Sequence, residues 1–289
     1  MTALTLIRTF EDAQGVEVTF FEWPVTAPKA IVQIAHGLGE HARRYDHVAE
    51  ALNRAGYSVY ADDHRGHGQT GLRMRAKGTI KKQGNLGPGG MKATFAAVHK
   101  LTGLIRAENP GKPVILIGHS WGSMIAQRIL NPHSADYAAA VLTGSTLLVP
   151  GIMPSAGFNK KWAAEAAGPD GSGAEWLSRD LEVGKKFRND PLNFPETAMQ
   201  VFGAANAAQI LGLPSRKLKS ELPILLQAGS DDAIGGEKGN KMLLNALKRA
   251  GIQDLELIVY HGARHEVFNE TNKEEVLADL VGWLDARFN

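Results

Sequence analysis

One serine in this 289-residue chain stands where the backbone can raise it clear of its surroundings: Ser120, at the centre of Gly118-His119-Ser120-Trp121-Gly122 within VILIGHSWGSMIAQRIL. A β-branched apolar run leads into it and an amphipathic helical pattern leads out. A chain that passes from strand to helix in so few residues forces the middle residue into a strained conformation. Glycines two positions to either side remove the Cβ atoms that would collide in such a turn. The chemistry this arrangement serves is nucleophilic attack on an acyl carbonyl. A serine there can also act only as a helix N-cap, but the strand on one side and the helix on the other favour the nucleophile.

A serine hydroxyl is a weak nucleophile near neutral pH, so it needs a base and a group that orients the base. His265, in YHGARHEVFNE, follows the last strand-like run by a short loop and so falls at the same sheet edge as Ser120. His261 sits at the end of the run itself, where packing or surface exposure accounts for it. The acid should follow an intermediate strand, and PILLQAGSDD offers both Asp231 and Asp232. The oxyanion of a tetrahedral intermediate needs two donors: the N–H of Trp121, at the start of the helix, and the N–H of Leu38, after AIVQIAHG, where Gly37 and Gly39 let the backbone approach.

These residues require a scaffold that brings strand ends together. LTLIRTF and VEVTFFEWPV alternate around EDAQG and predict an antiparallel hairpin at a sheet edge. Short apolar runs then recur at 30–37, 57–63, 113–120, 138–145, 223–232 and 255–262. Helical patterns such as RYDHVAEALNRAG, FAAVHKLTGLIRAEN and GNKMLLNALKRAG separate most of them. Alternating strands and helices predict an α/β protein with a mostly parallel central sheet and helices on both faces. Residues 146–216 break the pattern. They carry Met153, Phe158, Trp162, Trp176, Phe187 and Phe194 between Gly/Pro breaks and predict an inserted helical cap, with 1–145 and 217–289 as the core. Phe158 and Trp162 are its candidates for lining an apolar acyl channel.

The net charge of +2 predicts no nucleic-acid partner, and the absence of cysteine removes disulfides, thiolate metal sites and a cysteine nucleophile. No segment is long and apolar enough to span a bilayer, and a cytoplasmic protein is the simplest expectation, with transient lipid contact through the cap still open. The oligomeric state is not encoded in any pattern here.

Six motifs in order, HGLGEHARRY (36–45), DHRGHG (63–68), GHSWGS (118–123), NDPL (189–192), GSDD (229–232) and HEVFNE (265–270), make the chain resemble an α/β-hydrolase of the monoacylglycerol lipase and lysophospholipase group. The resemblance implies the α/β-hydrolase fold with a helical lid, a triad of Ser120, Asp232 rather than Asp231, and His265, and oxyanion donors at Leu38 and Trp121. It places Glu40 and Arg44 at the polar end of the pocket, near the alcohol of the ester. It implies hydrolysis of monoesters with an apolar acyl group through an acyl-enzyme, without cofactor or metal. Trp121 departs from the methionine usual in monoglyceride lipases, and GHSWGS also resembles the proline iminopeptidases of the same superfamily. An indole there is expected to narrow the acyl pocket toward short or aromatic monoesters.

Three other readings compete. Gly37-x-Gly39-x-x-Ala42, with Asp62 ending the next strand, matches a dinucleotide fingerprint of an NAD-binding reductase, but places Glu40 in the loop that would receive a pyrophosphate. Asp62, Asp63, His64 and His67 crowd together as metal-ligand types, although a hydrogen-bonded turn supporting the oxyanion loop accounts for them equally. A binding protein that merely keeps the fold would not need the intact set of serine, acid and histidine.

Overall fold

The computed structural model describes residues 5–152 and 157–289; Met153 lies outside the described residues. The strands are β1 (Leu6–Glu11), β2 (Glu17–Trp23), β3 (Ile31–Ala35), β4 (Ser58–Asp62), β5 (Val114–His119), β6 (Ala139–Thr143), β7 (Ile224–Gly229) and β8 (Leu255–Tyr260). They form one sheet in the order β1-β2-β4-β3-β5-β6-β7-β8. The hairpin β1–β2 is antiparallel and joins β4 antiparallel, while the remaining pairs are parallel. Every expected strand forms.

The helices are α1 (Asp46–Arg54), α2 (Gly68–Ala76), α3 (Gly90–Glu108), α4 (Trp121–His133), α5 (Ala163–Ala166), α6 (Leu181–Asn189), α7 (Ala198–Ala208), α8 (Gly236–Ala250) and α9 (Lys273–Asp285). Strand alternation distributes the apolar side chains between two cores. Ile31 and Ala35 of β3 and Leu116 of β5 face a core with Val98, Leu101, Ile125, Ile129 and Leu243 of α3, α4 and α8. Val32 and Ile34 of β3 and Ile115 and Ile117 of β5 face Val48 and Leu52 of α1 and Leu280 and Trp283 of α9. A central strand covered on both faces has no polar side to show, which is why VILIGH is buried at every residue.

Two helices add to the sequence reading. The sequence GQTGLRMRA of α2 has two glycines and little apolar spacing. Tertiary contacts hold it: Thr70 Oγ1 accepts the Thr19 N–H at 2.9 Å, and Asp63 Oδ2 accepts the Gln69 N–H at 2.7 Å. The helix α9 closes the second core.

The insertion between β6 and β7 contains α5, α6 and α7 joined by 3-10 turns. Ala174, Leu177 and Phe187 make a small cluster of their own. Phe194, Val201, Phe202 and Ile210 instead join the core over α3 and α4. The second half of the insertion is therefore packed as part of the main body. No helix among the described residues is long and apolar enough to cross a membrane.

The helix α4 approaches the sheet so closely at Gly122 that a Cβ there would lie 2.0 Å from the Ala35 carbonyl oxygen. Gly122→Ala is expected to cost about 1–3 kcal/mol of stability or more, read from urea unfolding; an unchanged midpoint would mean the helix can move away from β3.

Candidate active site

Ser120 links β5 to α4 with φ +52° and ψ −122°, a conformation that only Ala27 approaches in sign among the non-glycine described residues. Such a backbone costs on the order of 1–3 kcal/mol and persists only where its surroundings over-determine it. Here the Ser120 N–H donates to the Thr143 carbonyl at 2.9 Å. Its own carbonyl accepts the Ser123 N–H at 2.9 Å and the Ser123 hydroxyl at 2.6 Å. A Cβ at Gly118 would meet the Gly122 carbonyl oxygen at 2.6 Å, so both flanking glycines are demanded by close approach.

The loop after β8 brings His265 to the same place. A Cβ on Gly144, the residue after Thr143, would lie 2.8 Å from His265 Cε1. Ser120 and His265 thus flank one turn at the end of β6. His265 Nδ1 is 2.8 Å from Asp232 Oδ1, which also accepts the Ile234 N–H at 2.8 Å. Asp231 points elsewhere and pairs with Lys161 at 2.7 Å. His265 Nε2 is buried and carries no hydrogen bond among the described residues. Burial alone would lower the His265 pKa, but the Asp232 charge and hydrogen bond outweigh it and raise the group above its ordinary value. His119, whose ring lies 4.9 Å from that of His265, is pushed down to about 4 by burial and by the His265 charge. It therefore stays neutral near pH 7.

The loop after β3 lies against the serine. A Cβ on Gly37 would be 3.2 Å from Ser120 Cβ. The N–H groups of Leu38, beside it, and of Trp121, at the first position of α4, donate to no hydrogen bond among the described residues. The loop is fixed from four sides. Glu40 Oε1 accepts the Gly37 N–H at 2.6 Å and the Tyr45 hydroxyl at 2.8 Å. The His64 N–H donates to His36 Nε2 at 3.0 Å, so Nδ1 carries the His36 proton and donates to the Gly37 carbonyl at 2.7 Å. Burial holds His36 far below the usual imidazole range, consistent with this neutral tautomer. From NDPL and the residues after it, Asp190 meets His41 Nε2 at 2.9 Å, and the Phe194 N–H donates to the Gly39 carbonyl at 2.9 Å.

Glu40 and Arg44 are not open to a pocket. Glu40 is 3% exposed, and Arg44 lies between it and Glu266, which it grips at 2.7 Å through both terminal nitrogens. Burial would raise the Glu266 pKa, but the Arg44 charge overrides it and holds the group below the usual carboxylate value. The expected contact with substrate alcohol is replaced here by a buried Glu40-Arg44-Glu266 cluster behind the loop. The reason is placement: Glu266 follows His265 directly and meets the same Arg44 guanidinium that Glu40 binds.

The rival motifs resolve into the same framework. The Gly37 N–H that a dinucleotide phosphate would need is taken by Glu40. In DHRGHG, Asp62 Oδ2 meets His64 Nδ1 at 2.8 Å, Asp63 binds the N–H groups of Ala42 and Gln69, and His67 Nδ1 meets the Arg65 carbonyl at 3.0 Å. These side chains support the loop and do not converge on a common point.

The Trp121 indole is 2% exposed, stacked on His67 at 4.9 Å and against Phe202 of α7 at the same distance. It fills the core between the histidine layer and the insertion, so the expected narrowing of a pocket wall does not follow from it. Trp176 takes the place beside the site instead. Its ring lies 4.8 Å from that of His265, and its carbonyl accepts the His265 N–H at 3.3 Å. Arg264 fastens the same contact: it donates to the Glu175 carbonyl at 2.7 Å and to both oxygens of Glu165 at 2.9 Å, with Trp162 4.8 Å beneath it. Phe158 packs on Trp176 at 4.9 Å. Phe158 and Trp162 line an open groove of about 530 Å³ that reaches Asp231 and Asp232, on the acid side of the histidine. Arg264 and Glu266 were legible as charges flanking His265, but nothing in the sequence names their partners.

A strained serine at the strand–helix elbow, an aspartate-bound histidine beside it and a loop of free N–H groups on this sheet define a serine hydrolase of the α/β-hydrolase fold. Comparison with known proteins agrees. The family described as serine aminopeptidase, S33, matches residues 26–272. The chain is 31% identical over 285 residues to a monoacylglycerol lipase of Mycolicibacterium smegmatis, covering 96% of each chain. It is 28% identical over 276 residues to the human monoglyceride lipase, covering 91% of this chain and 85% of that one. A thermostable carboxyl esterase from Bacillus coagulans, solved in complex with glycerol, superposes with a TM-score of 0.82 at 26% identity and full coverage of both chains. The chain belongs to the serine aminopeptidase S33 family.

Removing the cation from the buried cluster leaves two carboxylates facing each other out of water. Arg44→Met is expected to destabilise the protein by about 3–5 kcal/mol, measured by urea unfolding; a loss below about 1 kcal/mol would show that solvent reaches the cluster freely.

Proposed function

We propose that this enzyme hydrolyses monoesters of apolar acyl groups, monoacylglycerols foremost, with Ser120, His265 and Asp232 as its triad. The observation that carries the reading is the 2.8 Å Asp232–His265 contact at the same turn as the strained Ser120. Similarity over nearly the full length to proteins named monoacylglycerol and monoglyceride lipases supports the substrate class. In the mechanism, Ser120 Oγ attacks the ester carbonyl while His265 Nε2 takes its proton and returns it to the leaving alcohol. Asp232 holds the imidazole in the required tautomer. The N–H groups of Leu38 and Trp121 hold the oxyanion, and water repeats the sequence to free the acid. Glu40 and Arg44 act behind the loop, setting the direction of the Leu38 N–H.

We further read residues 146–216 as a cap over this site, with Phe158 and Trp162 at the groove where an acyl chain enters. The exposed side chains of Leu181, Met199, Leu211 and Leu213 are the surface we assign to transient lipid contact.

The family's description favours a second reading, cleavage of an amide next to a free amino group. Such a substrate brings a cation and needs an unpaired carboxylate. Near the site Glu40 and Glu266 are buried and both bound to Arg44, and Asp231 pairs with Lys161, so no carboxylate there stands unpaired. This charge arrangement suits a neutral ester better.

Ser120→Ala is expected to reduce turnover to background without loss of fold, and Asp232→Asn to lower kcat by up to about 10⁴-fold where Asp231→Asn has little effect. Only unprotonated His265 accepts the serine proton, so kcat/KM should rise with pH through a midpoint above about 6.5, and Asp232→Asn should move that midpoint down. Full activity in Ser120→Ala, or equal losses at Asp231 and Asp232, would remove the assignment.

A panel of monoacylglycerols, lysophospholipids, aromatic monoesters and prolyl amides should give the highest kcat/KM with monoacylglycerols; a preference for prolyl amides selects the second reading. Leu213→Ser should lower turnover of vesicle-borne monoacylglycerol and spare a soluble nitrophenyl ester. Equal effects on both would exclude lipid contact at that residue.

A further inference from the structure

A second cluster of ligand-bearing side chains lies outside the chemistry described above. His99 comes from α3, His133 is the last residue of α4, and Asp136 ends the 3-10 turn Ser134–Asp136 that follows. His99 Nε2 is 2.8 Å from Asp136 Oδ2. The His99 and His133 rings are stacked with centroids 3.8 Å apart and planes 15° from parallel. One ligand atom from each of the three residues falls within 4.8 Å of the others.

We propose that His99, His133 and Asp136 form a binding site for a divalent transition metal, Zn²⁺ in particular. Two imidazoles and one carboxylate are a donor set suited to zinc, and three protein ligands leave a fourth position for water. With zinc–ligand bonds of about 2.0–2.2 Å, tetrahedral ligand atoms sit roughly 3.3 Å apart, a spacing between the 2.8 Å His99–Asp136 contact and the 4.8 Å within which all three ligand atoms lie, reached when the stacked rings turn toward the ion. Asp136 is also oriented: Arg106 binds its Oδ1 and leaves Oδ2 toward the histidines, as an outer partner does for a ligating carboxylate. His99 and Asp136 side chains are 29% and 26% exposed, open enough for an ion to enter and sheltered enough to hold it. Nothing else in the structure accounts for His133. No side-chain hydrogen bond holds it among the described residues, and its ring rests on a second histidine.

The ion would join α3 to the end of α4, and α4 begins one residue after Ser120. The site is therefore a staple on the helix that carries the serine elbow, at its far end, with no part in the reaction. The inference does not depend on the substrate assigned above.

The test is titration of tag-free, metal-stripped protein with ZnCl₂ by calorimetry, with thermal unfolding in parallel. One saturable site and a rise in Tm are expected. His133→Ala and His99→Ala should each weaken binding by more than about tenfold while esterase activity measured without zinc stays unchanged in His133→Ala. Absence of saturable binding, unchanged affinity in both variants, or equal binding of Mg²⁺ would overturn the proposal.

Discussion

The site depends on one steric constraint, the close approach of the first turn of α4 to the sheet at Gly118 and Gly122. Gly122 lies on the Ala35 and His36 carbonyls and Gly118 on Gly122, with no room for a single methyl group. That contact fixes the elbow, and the elbow fixes where the Ser120 hydroxyl and the Trp121 N–H point. It also brings the end of β3 under the start of α4, so the loop carrying Leu38 is delivered to the serine by the same packing. Strand, helix and loop are therefore positioned together.

Around this backbone the protein assembles a buried polar layer. Glu40, Arg44, Tyr45 and Glu266 connect the loop after β3 to the loop that carries His265. His36 and His64 connect the same loop to the residues after β4, and Asp63 ties Ala42 to the start of α2. The bonds this network does make resist motion, because each one broken leaves a desolvated polar group. The cost of burying these charges is countered by their pairing with one another.

The insertion is joined to the site through the residues that flank His265. Arg264 reaches Glu165 and the Glu175 carbonyl, the Glu266 N–H donates to the Leu177 carbonyl at 2.7 Å, and Trp176 lies on the imidazole itself. Any displacement of residues 160–178 must change the environment of His265 directly. The position of this segment and the environment of the histidine are thus physically coupled, through side-chain and backbone contacts together.

The amino-acid sequence by itself determined the eight strands, their mainly parallel order and the chemical class of the site. Apolar runs between turns and the GHSWG elbow are local patterns whose causes, side-chain alternation and Cβ clashes, act within a few residues. The helix α9 is absent from the helical patterns read in the sequence, although Val276, Leu280 and Trp283 stand at helical spacing. The helix α2 was not legible, because it is held by Thr19 and Asp63 and not by its own composition. The strand and turn pattern left Asp231 and Asp232 open and only the motif resemblance selected between them; the direction the β7 loop gives each sends Asp232 to His265 and Asp231 to Lys161. Tertiary structure alone turned Glu40 and Arg44 inward and put Trp176, not Trp121, beside the histidine. Each of these is a choice of partner between residues distant in the chain, and partner choice is set by packing and charge in three dimensions.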